Sequence, residues 1–197
     1  MPGGAGGEAG VPAIQPLTVS GDRHDAGLRG QRLYLRELTV ADVAGAYLET
    51  LNDPTATRYM AAGRVPQTRE TALEFLRALL AQGGRAYAIC LVADDGHVGN
   101  IVLRPDWASG KGDIGILLWP SSWGHGYAGE AIRLLTAPAF RTLDLRRLTF
   151  WTHNPAAARA VRKFGWVHEG TLRQDARLGG ECWDAVLYGL LREEWVP

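Results

Sequence analysis

Residues 119–131, with the sequence WPSSWGHGYAGEA, place three glycines between an apolar strand-like segment and an amphipathic helix-like segment. The first turn of a helix has backbone amides without partners and carries the positive end of the helix dipole, so a pyrophosphate binds there favourably. Gly124, Gly126 and Gly129 allow a close approach of the backbone to such an anion. The chemistry predicted for this loop is therefore phosphate binding.

Two common phosphate-binding motifs fit this loop poorly. No lysine follows the glycines, which disfavours an NTP-binding P-loop. Residues 124–129 match the dinucleotide fingerprint G-x-G-x-x-G, but residues 120–123 separate them from the preceding strand. The next predicted strand, residues 148–152, ends without the acidic residue that binds a ribose. An NAD-binding domain therefore stays only as a weak alternative.

With Glu130 and Ala131, the loop resembles the acyl-CoA motif Q/R-x-x-G-x-G/A of the GNAT superfamily of N-acetyltransferases. Its sequence pattern, W-G-x-G-Y-A-x-E-A, resembles that of the RimJ/RimL-type branch. Trp123 stands where the broad family has Gln or Arg. The resemblance covers about residues 31–195 with its landmarks in order, which a chance motif would not show. Those landmarks are residues 32–38 as the opening strand, N-x-x-S-x-x-x-x-x-K-x-G-F at 154–166, E-G-x-L-R at 169–173 and D-x-x-x-Y at 184–188.

The residue patterns predict an α/β fold with a mixed sheet, because the strands outnumber and bracket the helices. The resemblance implies a GNAT-type splayed, mostly antiparallel sheet flanked by helices, whose fourth and fifth strands part to admit the pantetheine arm. Thr39 and Asp42 predict a capped helix start. The predicted strands are 32–38, 85–92, 97–103, 113–119, 148–152, 166–172 and 182–191, and the predicted helices are 39–51, 68–82, the glycine loop to 143, and 156–164.

The resemblance implies acetyl-CoA as the cosubstrate. Backbone groups of residues 116–119 would pair with pantetheine, and the thioester oxygen would face an amide near Leu118. Residues 124–129 would hold the pyrophosphate, and Asn154 would contact pantetheine from the other side. The implied cofactor-binding residues are Leu117, Leu118, Trp119, Gly124, His125, Gly126, Tyr127, Ala128, Gly129 and Asn154.

An amine that attacks a thioester needs a proton acceptor, an oriented donor and hydrogen bonds to the developing oxyanion. Asp113 stands where the branch usually has Glu, and Asp175 lies beside the position of a RimL-type glutamate; the two rank equally as the base. Asp184 is a further acid, and Tyr188 is the candidate proton donor to the leaving thiolate. The family's usual acids, a serine and a tyrosine, are replaced by Ala157 and Val161. The candidate catalytic residues are Asp113, Asp175, Asp184 and Tyr188.

The acceptor is predicted to be a small cationic amine, such as an aminoglycoside-type antibiotic or an amino sugar, since acidic residues gather near the expected cleft. Those residues are Asp106, Asp113, Asp175, Glu181 and Asp184. The alternatives are N-terminal acetylation of a ribosomal protein and a non-catalytic acyl-CoA-binding module. Trp107 and Trp183 are candidate acceptor walls, whereas Trp151 is assigned to the core.

The 197 residues suit one domain, assigned to 31–197, after a Gly/Ala/Pro-rich arm at 1–30. The zero net charge and absence of a basic block disfavour a nucleic-acid partner. The chain has neither an apolar run of membrane-spanning length nor a signal peptide pattern, which predicts a cytoplasmic protein. No metal is expected, Cys90 and Cys182 are predicted to be buried, and the superfamily resemblance allows a homodimer.

Overall fold

The computed structural model describes residues 28–196. The arm assigned to residues 1–30 therefore lies outside the described residues, except for its last three positions. Leu28 is already buried in the core, and the Gly30 amide donates to the Leu33 carbonyl at 2.7 Å. Among the residues that the structure describes, the first, Leu28, is thus already part of the core three residues before the predicted domain start.

In the part of the chain that the structure describes, seven strands form one sheet in the order β1-β2-β3-β4-β5-β7-β6. They are β1 Leu33–Glu37, β2 Arg85–Leu91, β3 His97–Asp106, β4 Lys111–Leu118, β5 Arg147–Thr152, β6 Val167–Leu178 and β7 Glu181–Leu191. Every adjacent pair is antiparallel except β4 with β5. The prediction of a mixed, mostly antiparallel sheet is confirmed.

Four α-helices of the described chain flank the sheet, namely α1 Ala46–Asn52, α2 Arg69–Ala81, α3 Tyr127–Arg141 and α4 Pro155–Arg162. The predicted helix from residue 39 to 51 is wrong in its first half. Thr39 and Asp42 do form a capping box, but the turn that they cap is a short 3-10 segment, Val40–Asp42. Gly45, with a φ of 48°, then separates this turn from α1, because that backbone conformation cannot continue a right-handed helix.

The β4 and β5 strands separate partway along their length. They pair only from Lys111 with Arg147 to Asp113 with Thr149. Beyond this point β4 continues to Leu118 and β5 to Thr152 without pairing to each other. The splayed strands leave a gap between them, which we call the strand gap, as the sequence resemblance implied.

The helices cover the two faces of the sheet unequally. The α3 and α4 side holds the larger core, to which Ile114, Leu148 and Phe150 contribute. The α1 and α2 side packs on the first three strands. On β5, the side chains alternate between the two faces, and Trp151 is 53% exposed. The prediction that Trp151 lies in the core is therefore wrong, since none of the described helices packs over its side of the C-terminal strands.

The β6–β7 hairpin is longer than predicted and contacts the segment before α2. A register shift between Leu172 and Ala176 accompanies a positive φ of 51° at Gln174. Near the hairpin tip, Glu181 accepts a hydrogen bond from Arg58 at 2.9 Å. Cys182 is exposed on this tip, so the prediction of a buried thiol holds for Cys90 and is wrong for Cys182.

Within residues 28–196, the structure has no helix of the length and apolarity required to span a membrane.

Candidate active site

The glycine loop begins α3 with two residues in the left-handed backbone region. Gly124 has a φ of 80° and Gly126 a φ of 76°, conformations that cost any other residue strain. Gly126 is the N-cap of α3, and no side chain among residues 28–196 caps this helix end. The first amides of the helix, from Tyr127 and Ala128 onward, therefore lack a side-chain acceptor, as an anion-binding site requires.

Gly129 has a different role from the other two loop glycines. It is buried, and a Cβ atom at this position would lie 2.8 Å from Cζ of Phe164 and closer still to Cε2. Phe164 follows the end of α4. The missing side chain of Gly129 thus permits α3 and α4 to pack closely, and its predicted contact with the cofactor stays a prediction.

Arg32 binds the glycine loop from the start of the first strand, a role that the sequence did not indicate. Its Nη1 donates to the His125 carbonyl at 2.8 Å, and its Nε donates to Glu130 at 2.8 Å. The guanidinium lies 5.2 Å from the centre of the Tyr127 ring, and Nη2 is 3.7 Å from the place of a Cβ on Gly126. Arg32 therefore brings a positive charge beside the predicted pyrophosphate site, where Trp123 supplies none.

Glu130 fixes Arg32 in this position. Its Oε1 accepts the amides of Arg32 and Leu33 at 2.9 and 3.1 Å. Burial opposes ionisation of this carboxyl, but the hydrogen bonds outweigh burial and lower its pKa. The first turn of α3 is thereby joined to β1, and this contact positions the loop against the sheet.

Not all of the predicted pantetheine-binding residues face the strand gap. The Trp119 amide donates to the Val98 carbonyl of β3 at 3.0 Å, and its indole is buried and donates to the His97 carbonyl. Hydrogen-bonded positions alternate along an antiparallel ladder, so Leu117 also turns its backbone groups to β3. Leu118 and Ile116 turn theirs to the gap.

Trp123 forms a hydrogen bond with one of the backbone groups that face the gap. Its indole Nε1 donates to the Leu118 carbonyl at 3.0 Å. Leu118 and Ile116 each present a backbone carbonyl, which accepts, and a backbone amide, which donates, to the gap. Trp123 binds the Leu118 carbonyl, so both amides remain as donors that face the gap. These amides are suited to bind a developing oxyanion.

Asn154 stands at the other side of the gap, where β5 leads into α4. Its side-chain oxygen caps α4 by accepting the Ala156 amide at 2.9 Å. The side-chain NH2 group remains a donor, because the oxygen alone serves the cap. The position is consistent with the predicted pantetheine contact.

Asp113 lies at the point where β4 and β5 part. Its carboxylate is 3.2 Å from Nη1 of Arg104 and 3.3 Å from the hydroxyl of Thr149, and its side chain is 25% exposed. Burial raises the pKa of this carboxyl, and Arg104 and Thr149 offset the rise only in part. A carboxylate with a raised pKa beside the strand gap has the properties of a general base.

Asp175 is held by a buried histidine. Its Oδ2 accepts from Nε2 of His153 at 2.8 Å, and the side chain of His153 is 8% exposed. The His153 ring contacts Trp151 edge to face, with centroids 5.3 Å apart. Asp175 thus belongs to a positioned group that lines the same cavity as Trp151 and Thr149, and Thr149 in turn contacts Asp113.

Asp184 and Tyr188 have different surroundings from these two acids. Asp184 accepts the Gln174 amide at 2.7 Å and so supports the irregular backbone of β6. Tyr188 is buried on β7, in register with Phe150, and its ring lies 5.5 Å from that of His168. Asp113 and Asp175 are accessible, whereas Tyr188 is buried against the core and reaches this cavity as one of its lining residues.

A cavity of about 380 Å³ lies on the exposed face of β5, β7 and β6. The residues that line it are Arg147, Thr149, Phe150, Trp151, Glu169, Leu172, Asp175, Leu187 and Tyr188. This volume suits a small ligand. Through Thr149 the cavity borders Asp113, so it is the candidate acceptor site, which we call the acceptor cavity.

The acids expected to make the cleft strongly acidic each have a partner. The pairs are Asp106 with Lys111, Asp113 with Arg104, Asp175 with His153, Glu181 with Arg58, and Asp184 with the amide of Gln174. Within the cavity, Nη1 of Arg147 donates to Glu169 at 2.7 Å, and its other amino group binds the second oxygen. The expected surplus of free negative charge is therefore absent among the described residues that line the cavity.

Comparisons with known proteins agree with this geometry. The sequence model of the acetyltransferase (GNAT) domain matches residues 32–167. The uncharacterized N-acetyltransferase p20 of Bacillus licheniformis is 26% identical over 172 residues, which are 84% of this chain and 96% of that protein. A crystal structure from T. thermophilus, described as an acetyltransferase, is 32% identical with a TM-score of 0.68, over 85% of this chain and 90% of the other.

A second crystal structure has the same fold at lower identity. Spermidine N-acetyltransferase from Vibrio cholerae, in complex with CoA and spermine, gives a TM-score of 0.73 at 20% identity, over 82% of this chain and 96% of the other. The family match spans most of the described chain and includes the glycine loop, Asp113 and Asn154. The chain therefore belongs to the GNAT acetyltransferase family, and it is an acetyl-CoA-dependent N-acetyltransferase.

Proposed function

We propose that this enzyme acetylates the primary amine of a small molecule by direct attack on the thioester, with Asp113 as the general base. The observation that carries the proposal is the place of Asp113. It lies at the end of the strand gap, borders the acceptor cavity through Thr149, and has a pKa raised by burial. A base at this position lies between the region that binds the amine and the region that binds the thioester.

The reaction is one substitution at the thioester carbonyl with two proton transfers, one from the amine and one to the leaving thiolate. The amine nitrogen forms a bond with the thioester carbonyl carbon, and the carbon–sulfur bond breaks. Asp113 takes the proton of the amine, directly or through one water. The amides of Leu118 and Ile116 stabilise the oxyanion, and Tyr188 gives its phenol proton to the leaving thiolate.

The residues of the loop hold the donor in place. The free amides at the start of α3 and the guanidinium of Arg32 face the pyrophosphate, and Asn154 faces pantetheine. This part of the proposal rests on unpaired backbone donors and on fixed positive charge, which suit phosphate groups. The further assignment to the RimJ/RimL branch rests on the sequence motifs at 169–173 and 184–188.

The acceptor that we propose is a small amine that is cationic in solution, in the class of amino sugars and aminoglycoside-type antibiotics. The volume of the acceptor cavity supports a small molecule over a protein chain end. An aminoglycoside as acceptor would make the enzyme a source of antibiotic resistance. The Vibrio cholerae relative in fold was solved with a polyamine, spermine, so polyamines belong in the same test.

Two other functions compete with this proposal. N-terminal acetylation of a ribosomal protein is favoured by the branch motifs, and it requires a peptide to enter from the open side of the cavity. A non-catalytic acyl-CoA-binding module is favoured by Ala157 and Val161, two α4 positions where the family usually has a serine and a tyrosine. Both alternatives predict that free small amines are not acetylated.

The experiment is a measurement of thiol release from acetyl-CoA in the presence of separate amines, with the acetylated product identified by mass spectrometry. The panel holds amino sugars, aminoglycosides, polyamines and ribosomal N-terminal peptides. Amine-dependent thiol release with a small molecule supports the proposal. Turnover of the peptides alone would support N-terminal acetylation, and acetyl-CoA binding without turnover would support a binding module.

A further inference from the structure

The acceptor cavity exposes large apolar side chains on one side. Trp151 is 53% exposed and Leu172 is 51% exposed, and both line the cavity together with Leu187. Apolar surface gathered in a concave site is typical of ligand contact, because such surface costs free energy while it faces water. The shape and composition of this wall suit an apolar body more than a sugar or a polyamine.

The indole of Trp151 is held in a fixed orientation from behind. His153 meets it edge to face at an interplanar angle of 87°, and His153 in turn binds Asp175 at 2.8 Å. A carboxylate oxygen only accepts, so Nε2 of His153 is the donor. Asp175 and His153 are thus positioning residues that orient Trp151, whose exposed surface can stack on a flat ligand.

The charged residues at the cavity can receive one ammonium group, the one that reaches Asp113, but not two. Arg147 binds both oxygens of Glu169, and this pair lowers the pKa of Glu169 below its ordinary value. Asp175 is bound by His153. Within the described chain, both acids that line the cavity therefore already have a partner, which disfavours the second cation that a polyamine would bring.

The cavity also has a defined direction. Thr149 lines it at the end next to the strand gap, and its hydroxyl lies 3.3 Å from the Asp113 carboxylate. Trp151 follows two residues later on the same face of β5, roughly 7 Å farther along the strand. An amine at Asp113 would thus be joined to its apolar body by a linker of about two or three atoms.

We propose that the acceptor is an arylalkylamine-type molecule: a single primary amine, a short linker and a flat apolar ring that stacks on Trp151. This inference rests on the proposed acetyl transfer to a small amine, and within small amines it selects an aryl amine over the amino sugars and aminoglycosides proposed above. The ring lies against Trp151, Leu172 and Leu187, and the amine points to Asp113. The specificity for a ring is supplied by Trp151, whereas proton removal is supplied by Asp113.

The test compares acceptors and variants in one assay. Phenethylamine and tryptamine are compared with spermidine, glucosamine and kanamycin in wild type, Trp151→Phe and Trp151→Ala, with Val65→Ala as an exposed apolar control outside the cavity. We expect kcat/KM for the aryl amines to exceed that for the others about tenfold or more. Trp151→Ala should raise KM for aryl amines about tenfold, with kcat and the acetyl-CoA Kd little changed. Trp151→Phe should restore most of the loss.

Binding of phenethylamine is also followed by quenching of tryptophan fluorescence, which needs no turnover. Loss of that quenching in Trp151→Ala, with the fold retained by circular dichroism, supports the proposal. Equal use of glucosamine, kanamycin or spermidine, or an equal effect of Trp151→Ala on every acceptor, overturns this inference while acetyl transfer to small amines stands. Absence of turnover with all five amines, with acetyl-CoA bound, contradicts the proposed function itself.

Discussion

The carboxylate of Asp113 and the hydroxyl of Thr149 lie 3.3 Å apart at the last position where β4 and β5 pair. The two strands separate immediately beyond this contact, so the strand gap begins there. Thr149 also lines the acceptor cavity. One pair of side chains therefore stands between the region that receives the acyl donor and the region that receives the amine.

The raised pKa of Asp113 has a consequence for stability. Because its pKa is higher in the folded state than in the unfolded state, its favourable contribution is complete below about pH 4 and is lost as the pH rises through the folded value. The ionised carboxyl is then unfavourable at pH 7. We expect Asp113→Asn to retain or raise the Tm at pH 7, and to show no such advantage near pH 3. Thermal unfolding at both pH values checks this.

A suitable control for that experiment is Asp106→Asn. The pKa of Asp106 is lowered by its hydrogen bonds to Ser109, the opposite direction to Asp113. Its substitution should therefore not raise the Tm at pH 7. A clear fall in Tm at pH 7 for Asp113→Asn would show that the Arg104 contact outweighs burial, and the expected direction of the pKa shift would then be wrong.

Arg32→Gln should weaken acetyl-CoA binding about tenfold, because it removes a guanidinium from the phosphate site and the hydrogen bond that shapes the loop at His125. It should also cost about 2 kcal/mol of unfolding free energy, because Glu130 loses a charged partner. Arg32→Lys keeps the charge but cannot make both contacts, so we expect an intermediate Kd. Calorimetric titration with acetyl-CoA at two salt concentrations checks the affinity, and an unchanged Kd for Arg32→Gln would exclude this role.

Gly129→Ala should destabilise the protein by about 1–3 kcal/mol, since the new methyl group would displace Phe164. Phe164→Leu in the same chain should recover part of the loss, because a smaller, flexible side chain can move aside. The measurement is urea unfolding of both single variants and the double variant. Strict additivity of the three values would mean that the two residues do not contact each other.

Asp42 provides a test of local structure away from the site. Burial opposes its ionisation, but hydrogen bonds from Arg36 and Thr39 outweigh this and lower its pKa to about 2. A lowered folded pKa stabilises the fold above about pH 4, and the contribution is lost as the pH falls towards 2. We expect Asp42→Asn to lose about 2 kcal/mol at pH 7 and little at pH 2. Equal losses at both pH values would contradict the charge-based explanation.

The sequence predicted those features that depend on local pattern. The glycine loop, the start of α3 and the cap formed by Thr39 and Asp42 are set by residues close together in the chain, so their types and spacing reveal them. The helix predicted across Gly45 was wrong because that residue takes a positive φ, which apolar periodicity does not register. Local patterns were thus sufficient for most elements and for the position of the glycine loop at the start of α3.

Features that depend on distant parts of the chain were missed. The bond between Arg32 and Glu130 spans 98 residues, and Glu130 in the loop motif was the only local signal that a cation binds there. Alternation along β5 gave two faces but not which face α1 and α2 cover, so Trp151 was assigned to the core although it is exposed. For the same reason, the acids of the cleft looked unpaired before their partners on other strands were known.

The central claim is that Asp113 accepts the proton of the attacking amine, and the most direct test is kcat for Asp113→Asn with acetyl-CoA and the best amine found. We predict a kcat lower by about 10²- to 10⁴-fold, with the acetyl-CoA Kd within about twofold of wild type and with Asp106→Asn fully active. A kcat for Asp113→Asn within about tenfold of wild type would contradict the claim and would direct the search for the base to Asp175.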